Sequence, residues 1–263
     1  MTKTNLSQYL NRAEEFGVIP NFFMSEAYLT LSRVKTLIKD GYIYLQDRHW
    51  CLFPPIPMGE VNLDHYPVQR IWSTYLQDEP FEIDRCDYSF LDYNYIFDPK
   101  NFLTMEGGRW ETFRKNSRKW GKHNSPWEYS KREPSISEAS ILMAEWLDGK
   151  QHDVHDGELL VKFAFLDDNI PVNRRFLYKG TELVAINAWD ENWKYINYRV
   201  CFVKRDEPFL DEFVRWLFYT DPEIIASGKL VNDGGTLGNE GLEHFKDKMN
   251  PVEKHRIYSY IKK

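Results

Sequence analysis

The sequence VNDGGTLGNEGLEHFKDKMNP at 231–251 constrains the fold more than any other segment of the chain. An apolar run ends at Val231, and the glycines that follow favour tight backbone turns that other residues resist. Asn239 is suited to cap a helix, which is expected to continue to Met249. The pattern therefore predicts a buried strand that breaks into a polar loop and is followed by a helix.

Asn232 and Asp233 are the first polar residues after that strand. A strand end beside a helix N-terminus is a common place for a site, because the unpaired backbone amides there favour anions. An ordinary strand–turn–helix connection has the same pattern, so the motif alone leaves both interpretations open.

Length and composition are those of a globular, cytoplasmic protein. The 263 residues are 42% hydrophobic and 16% aromatic, enough for a substantial core in one large domain or two small ones. No apolar run approaches the roughly 18 residues of a membrane span, and residues 1–10 lack the apolar segment of a signal peptide. We therefore expect no membrane span and a cytoplasmic location.

Neither a metal site nor a disulfide is predicted. The three cysteines, Cys51, Cys86 and Cys201, are widely spaced without a CxxC pair, as in proteins of a reducing compartment. Among the seven histidines, His152 and His155 have the closest spacing, but they lie in a polar segment without a third ligand.

The segment 109–132 carries eight basic residues and two acidic ones, although the whole chain has a net charge of −6. Its first part, 109–122, is predicted to be a basic helix with Trp110 and Trp120 on the apolar side. Such a patch could hold a polyanion, and a solvated helix face has the same composition, so both interpretations stay open. The candidate substrate-binding residues on this helix are Arg114, Lys115, Asn116 and Arg118.

Hydrophobic periodicity predicts a mixture of helices and strands in roughly the first ninety residues, including helices over 27–38 and 63–76. A strand is predicted over 93–97. The last hundred residues predict the order β-β-β-α-β-α-β. Its strands are 175–178, 183–189, 195–203, 229–232 and 256–261, and its helices begin at Pro208 and after Asn239.

This order is the one found in acyltransferases of the GNAT superfamily, and three motifs narrow the resemblance. The first is the aromatic-Pro-Pro turn Phe53-Pro54-Pro55 with Gly59. The second, 92–120, has a Tyr-rich strand, glycine and a basic helix in which Lys115-Asn116 stands where the family has an Arg-Asn pair. The third is 231–251, where the matching residues are Asn232, Leu237-Gly238, Glu240-Gly241-Leu242, Lys246 and Pro251.

Together the motifs resemble bacterial domains similar to the C-terminal, catalytic region of phosphatidylglycerol lysyltransferase. That family has two GNAT-like halves in tandem and is related to the Fem peptidyltransferases. The resemblance implies an α/β fold with a mixed sheet, in which residues 1–90 form one GNAT-like half and residues 91–263 the other. It also implies an acyltransferase that moves an acyl or aminoacyl group from aminoacyl-tRNA or acyl-CoA to an amine or a hydroxyl.

Two departures from the family pattern limit this inference. Gly234, Gly235 and Thr236 stand where the family often has further acidic residues, and Glu243 replaces a usual basic residue. The family's own substrate is therefore not carried over to this chain.

Acyl transfer to an amine needs a base to take the proton and donors to stabilise the oxyanion. Asp233 is the first candidate for the base, and Asp190 or Glu191, at the end of another central strand, is the second. Tyr198 is a candidate acid for the leaving group, although each of these residues could equally be structural. The remaining candidates are Asn232 at the catalytic strand end, and Arg199 and Lys246 as substrate contacts.

The loop KRDEP at 204–208 bears on whether acyl-CoA or aminoacyl-tRNA is the acyl donor. Users of acyl-CoA cradle its pyrophosphate there on glycine-rich backbone, whereas this loop has no glycine and two acids. The loop argues against CoA and favours aminoacyl-tRNA, whose phosphates the basic helix would contact. Two alternatives stay open: a GNAT-like enzyme that modifies nucleic acid bases, and a catalytically inactive GNAT-like module that binds a partner or nucleic acid.

Overall fold

The structure is a computed structural model that describes residues 3–39, 41–46, 56–59, 70–73, 83–87, 93–148, 157–165, 170–236, 238–256 and 258–262. Its helices are α1 Lys3–Glu15, α2 Glu26–Leu31, α3 Lys100–Thr104, α4 Glu111–His123, α5 Ile136–Asp148, α6 Gly157–Ala164, α7 Leu210–Tyr219, α8 Pro222–Ser227 and α9 Glu240–Asp247. Its strands are β1 Lys35–Lys39, β2 Tyr42–Gln46, β3 Ile56–Pro57, β4 Arg70–Ser73, β5 Ile83–Asp87, β6 Tyr93–Phe97, β7 Trp127–Ser130, β8 Asn173–Lys179, β9 Glu182–Glu191, β10 Tyr195–Val203, β11 Leu230–Asn232, β12 Glu253–Arg256 and β13 Tyr258–Lys262. Within the described ranges, no helix combines the length and the apolar character needed to cross a bilayer.

A seven-stranded mixed sheet, in the order β12-β6-β11-β10-β9-β8-β7, is the largest sheet of the described structure. β10 and β11 are parallel, and the other neighbours in this sheet are antiparallel. The parallel ladder has only three residue pairs and ends where Asn197 lies opposite Asn232. The chain after β11 then follows β6, since the Asp233 amide donates to the Tyr95 carbonyl at 2.9 Å. We term the point where β10 and β11 separate the strand split.

The two faces of this sheet pack against different helices. The front face lies under α3, α4 and α7 and is built around aromatic side chains such as Tyr198 and Phe218. The back face lies under α5 and α6 and buries residues such as Ile186 and Phe202. This separation decides which side chains of β10 and β11 share a surface.

Two three-stranded sheets, β1-β2-β3 and β4-β13-β5, accompany the large one. In the second of them, β13 lies between two strands from the first ninety residues. The division into 1–90 and 91–263 stays a prediction, and the C-terminal strand crosses that boundary.

The predicted mixed α/β fold is confirmed. In the last hundred residues the structure adds a helix, α8, between α7 and β11, and it has two strands, β12 and β13, where one was predicted over 256–261. The helix predicted over 27–38 is wrong in its second half, because α2 ends at Leu31 and β1 pairs with β2 in a hairpin. Arg33, with a φ of 55°, turns the chain between them. The helix predicted over 63–76 is wrong at 70–73, where β4 pairs with the distant β13, a contact that local periodicity does not reveal.

Several sequence predictions fall outside the described residues. They concern the rest of the helix predicted at 63–76, the aromatic-Pro-Pro turn at 53–55, Cys51, and the histidines at 152 and 155.

Candidate functional site

Three asparagines, Asn94, Asn197 and Asn232, project from the back face of the sheet at the strand split. Side chains alternate between the faces of a strand, and the residues adjacent to these three on β6, β10 and β11 belong to the front core. The register places Asn197 opposite Asn232 on one side and opposite Asp190 of β9 on the other. We term these three asparagines the amide row.

The amide row is buried without being fully hydrogen-bonded. Each of its side chains is at most 1% exposed. Asn197 directs its amide nitrogen to Asp190 Oδ1 at 2.8 Å, and Asn232 directs its amide oxygen to the Gly234 N–H at 2.9 Å. Among the described residues, nothing bonds to Oδ1 of Asn197, to Nδ2 of Asn232 or to either polar atom of Asn94.

The chemistry of the partners fixes the orientation of two of these amides. A carboxylate only accepts and a backbone N–H only donates, so reversing either amide would lose its bond. The row therefore offers an acceptor at Asn197, a donor at Asn232 and one of each at Asn94. A buried polar atom left unsatisfied costs about 1–3 kcal/mol. A row of such atoms requires an explanation, and a bound ligand supplies one.

Asp190 and Arg199 form a buried ion pair beside the amide row. Arg199 donates from Nε and from Nη2 to the two carboxylate oxygens, each at 3.0 Å. Ser25 Oγ adds a donor at 2.6 Å, and Asn197 adds the fourth. A carboxylate that already accepts four hydrogen bonds has its acceptor sites occupied. Asp190 is therefore better placed to orient Arg199 than to act as the base.

Arg199 retains one donor for a ligand. Its Nη1 is buried and has no hydrogen-bond partner among the described residues. The Phe22 ring covers the guanidinium at 4.1 Å. Phe22 also lies against Gly234, where φ is +63° and a Cβ would approach the ring to 3.1 Å. The N-terminal segment thus closes over the back face beside the amide row, with the half-buried Phe22 at its edge.

A histidine and a glutamate on β12 extend the polar surface of the back face. The register puts Glu253 opposite Ile96 and His255 opposite Asn94, so both project from the same face as the amide row. His255 Nε2 lies 2.5 Å from Glu253 Oε2. The ring of Tyr195 lies 6.2 Å from the His255 ring, and its hydroxyl is buried with no partner in the described ranges. Burial, and secondarily the charge of Glu253, raises the pKa of Tyr195 to about 12.

Asp233, the first candidate for the base, forms a second buried ion pair, on the side of α7 and α9. Its carboxylate pairs with Arg215, lies 3.5 Å from Lys246 Nζ and accepts from the Tyr219 hydroxyl at 3.1 Å. Burial is the largest single effect on Arg215 and lowers its pKa, but the Asp233 carboxylate together with smaller contributions from neighbouring side chains raises the pKa of the guanidinium overall. The carboxylate of Asp233 is thus held between two cations.

Lys246 holds the glycine loop together. Its Nζ donates to the carbonyl oxygens of Asp233 at 2.5 Å, of Gly235 at 2.8 Å and of Gly234 at 3.3 Å. The side chain is buried. These bonds use the three donors of the ammonium group and explain why β11 can end abruptly before α9.

Tyr198 lies in the front core, stacked on Phe218 at a centroid distance of 4.0 Å. Its hydroxyl donates to Asn187 Oδ1 at 2.5 Å. Burial raises the pKa of Tyr198 well above its usual value, so the hydroxyl stays protonated. It faces the opposite side of the sheet from the amide row.

The basic helix predicted at 109–122 forms as α4, and its polar residues have two roles. Arg114 donates to the Met105 carbonyl at 2.5 Å, and Asn116 donates to Glu212 at 3.1 Å, so both support local packing. Three other cations are exposed at helical spacing, and no described acidic residue pairs with them. We term these three the basic stripe: Lys115, Arg118 and Lys122.

The acidic loop before α7 lies beside further carboxylates in the structure. Lys204 pairs with Glu182, and Lys179 pairs with Glu207 at 3.1 Å, so two of the nearby cations are already neutralised. Four carboxylates and two cations line the surface groove at this helix start, and two of the four carboxylates are paired with Lys179 and Lys248. The charged residues that line the groove are Lys204, Arg205, Asp206, Glu207, Asp211 and Glu212.

The structure brings only part of the predicted site together. Asp190, Arg199 and Asn232 share the back face, whereas Tyr198, Asp233 and Lys246 lie toward α7 and α9. Of the four candidates on α4, Asn116 reaches α7 through Glu212, Arg114 bonds to the Met105 carbonyl, and the other two are exposed. The sequence analysis did not single out five residues of the back face. They are Asn94, Tyr195, Asn197, Glu253 and His255.

Comparison with solved structures places three proteins beside this chain. A conserved protein of unknown function from Bacteroides thetaiotaomicron VPI-5482 aligns over 100% of this chain and 98% of its own, with a TM-score of 0.73 and 15% identity. L-PGS from Bacillus licheniformis aligns over 97% and 91%, with a TM-score of 0.61 and 15% identity. The C-terminal domain of a protein described as a lysylphosphatidylglycerol synthetase, from Agrobacterium fabrum, aligns over 98% and 93%, with a TM-score of 0.59 and 13% identity. No protein-family model and no curated protein matches the chain.

These alignments extend over nearly the whole chain, so the likeness is not confined to one motif. The resemblance to the C-terminal domain of lysylphosphatidylglycerol synthetase, predicted from three motifs, is confirmed as a likeness of fold.

Asp233→Asn tests whether this carboxylate is structural. We expect the substitution to lower the free energy of unfolding by about 3–5 kcal/mol, because it leaves the buried Arg215 without its counter-charge. Asp206→Asn, at an exposed position, is the control and should leave stability nearly unchanged. Urea denaturation measures both. A variant as stable as the control that has lost only catalysis would instead identify Asp233 as the base.

Proposed function

We propose that the protein is an aminoacyltransferase that moves an aminoacyl group from tRNA to an amine or a hydroxyl, with the amide row as the site for that group. The observation that carries the proposal is the row itself, with buried donors and acceptors that lack described partners at the strand split. The fold shared with a lysylphosphatidylglycerol synthetase domain supports aminoacyl transfer.

An aminoacyl ester complements the hydrogen-bonding groups of the row. Its amino group donates, as Asn197 Oδ1 requires, and its carbonyl oxygen accepts, as Asn232 Nδ2 requires. Negative charge develops on that oxygen in the transition state, where a preorganised donor lowers the barrier. Arg199 Nη1 supplies a further donor, and its charge is already balanced by Asp190.

The charge distribution favours tRNA over CoA as the donor. Carboxylates surround the start of α7, where a GNAT enzyme would bind the pyrophosphate of CoA, and they would repel it. The basic stripe offers three exposed cations for the phosphates of a nucleic acid backbone.

The direct test combines a mixture of aminoacyl-tRNAs with methoxyamine, a small amine that is uncharged near neutral pH. We expect protein-dependent formation of amino acid N-methoxyamides, detected by mass spectrometry, and no acetyl product when acetyl-CoA replaces tRNA. Product from acetyl-CoA alone would overturn the choice of donor. If tRNA binds but neither donor reacts, the inactive binding module becomes the better description.

Asn94→Leu separates a ligand site from a structural one. The substitution replaces an amide that has no described partner with an apolar group of similar shape. We therefore expect the free energy of unfolding to stay the same or rise by about 1 kcal/mol, while the methoxyamine reaction slows at least tenfold.

Asn187→Leu is the matched control for this variant. Asn187 is equally buried, but it accepts from Tyr198 and donates to Tyr129 at 2.9 Å. Its replacement should lower stability by about 1–3 kcal/mol, because two buried hydroxyls lose their partner. Equal destabilisation by both substitutions would show that Asn94 is a structural residue.

Lys115→Glu combined with Arg118→Glu tests the role of the basic stripe. Removing two phosphate contacts should weaken tRNA binding and reduce the salt dependence of log K by about two, as measured by fluorescence titration at several salt concentrations. Arg33→Glu with Lys35→Glu makes the same charge change at exposed positions elsewhere. Equal weakening by both double variants would mean that net charge, rather than the stripe, governs binding.

A further inference from the structure

The pair His255 and Glu253 stands at the outer end of the back-face polar surface, beside Asn94. We propose that His255, positioned by Glu253, carries the proton in the transfer reaction at the amide row. This inference rests on the proposed function, and it assigns the base that the sequence analysis sought at Asp233 or Asp190.

The contact with Glu253 leaves one ring nitrogen of His255 available. A carboxylate oxygen can only accept, so Nε2 carries the hydrogen of the 2.5 Å contact. In the neutral ring Nδ1 then keeps its lone pair, as a general base requires. A base oriented by a second side chain is the arrangement that activates nucleophiles in many enzymes.

The aspartates near the strand split are less suited to this role. Asp190 already accepts four hydrogen bonds, and Asp233 is held by Arg215 and Lys246. Glu253 is the one described partner of the His255 ring in a hydrogen bond. The oxygens of both aspartates are therefore engaged, whereas His255 keeps Nδ1 without a described hydrogen-bond partner.

Tyr195 completes the arrangement. Its ring lies 6.2 Å from that of His255, and its hydroxyl has no partner within the described residues. Because its pKa is raised to about 12, by burial first, the hydroxyl stays protonated near neutral pH. It can therefore donate a hydrogen bond to the oxygen that leaves the aminoacyl group.

The reaction needs no proton from outside this group of residues and the two substrates. The acceptor nitrogen or oxygen attacks the ester carbonyl and forms the new C–N or C–O bond, and its proton passes to Nδ1 of His255. Collapse of the tetrahedral intermediate breaks the ester C–O bond. The ribose oxygen of the tRNA takes the proton back from His255, so the enzyme is regenerated without another reactant.

The test is the methoxyamine reaction of His255→Gln, with His244→Gln as the matched control on the exposed side of α9. His255→Gln should lower kcat at least 100-fold with little change in the KM for aminoacyl-tRNA. His244→Gln should behave as wild type.

Glu253→Gln tests the positioning role. It should lower kcat less than His255→Gln does and leave the KM for aminoacyl-tRNA nearly unchanged, because the imidazole keeps its basic atom but loses the carboxylate that orients it.

A second readout does not depend on turnover. Long-range ¹H–¹⁵N spectra of protein labelled in histidine should show an Nδ1 without hydrogen that disappears in His255→Gln.

A wild-type protein that is inactive with every aminoacyl-tRNA would overturn the proposed function and this inference together. An active wild type whose His255→Gln variant retains kcat within threefold would overturn this inference alone.

Discussion

A buried charge must be paired, and two such pairs determine the geometry of the strand split. On the back face, Arg199 and Asp190 bind Ser25 and so attach the N-terminal segment to the sheet. On the side of α7, Arg215 pairs with Asp233 in the loop that follows β11. Because β10 and β11 share only a short ladder, each is held at the split by other contacts: Arg199 ties β10 to Asp190 on β9, and Asp233 ties the segment after β11 to Arg215 on α7. The amide row lies buried where the two strands separate.

Charged and neutral polar groups therefore have different roles in this protein. The carboxylates at the strand split are neutralised by cations and stabilise the fold, whereas the neutral amides beside them keep atoms without described partners. A neutral row can bind the amino and carbonyl groups of an aminoacyl ester without adding an uncompensated charge to the interior. Recognition of a large polyanion is left to the exposed basic stripe on α4, whose charge is opposite to that of the acidic residues in the groove before α7.

The sequence predicts the fold of the last hundred residues well, because periodicity, glycine and the Asn239 cap all favour the same elements there. It fails at β1 and β4, whose pairing partners are not visible in local pattern. The site is predicted only in part, since charged residues at strand ends attract notice while Asn94 and Asn197 lie inside the hydrophobic strands YNYIF and YINYRVCFV. Asparagine is disfavoured in strands, so its presence there is the signal that could have identified the row. The contact between Glu253 and His255 has no such signal, because only the register of β12 on β6 places them on the back face.

The proposed function requires the amide row to bind the aminoacyl group. This binding can be observed in a crystal structure with aminoacyl-adenosine in which a stable amide replaces the ester. We expect the ligand's amino group to lie within hydrogen-bond distance of Asn197 Oδ1 and its carbonyl oxygen to accept from Asn232 Nδ2. A ligand bound at the groove before α7, with the asparagine amides bonded only to other protein groups, would contradict it.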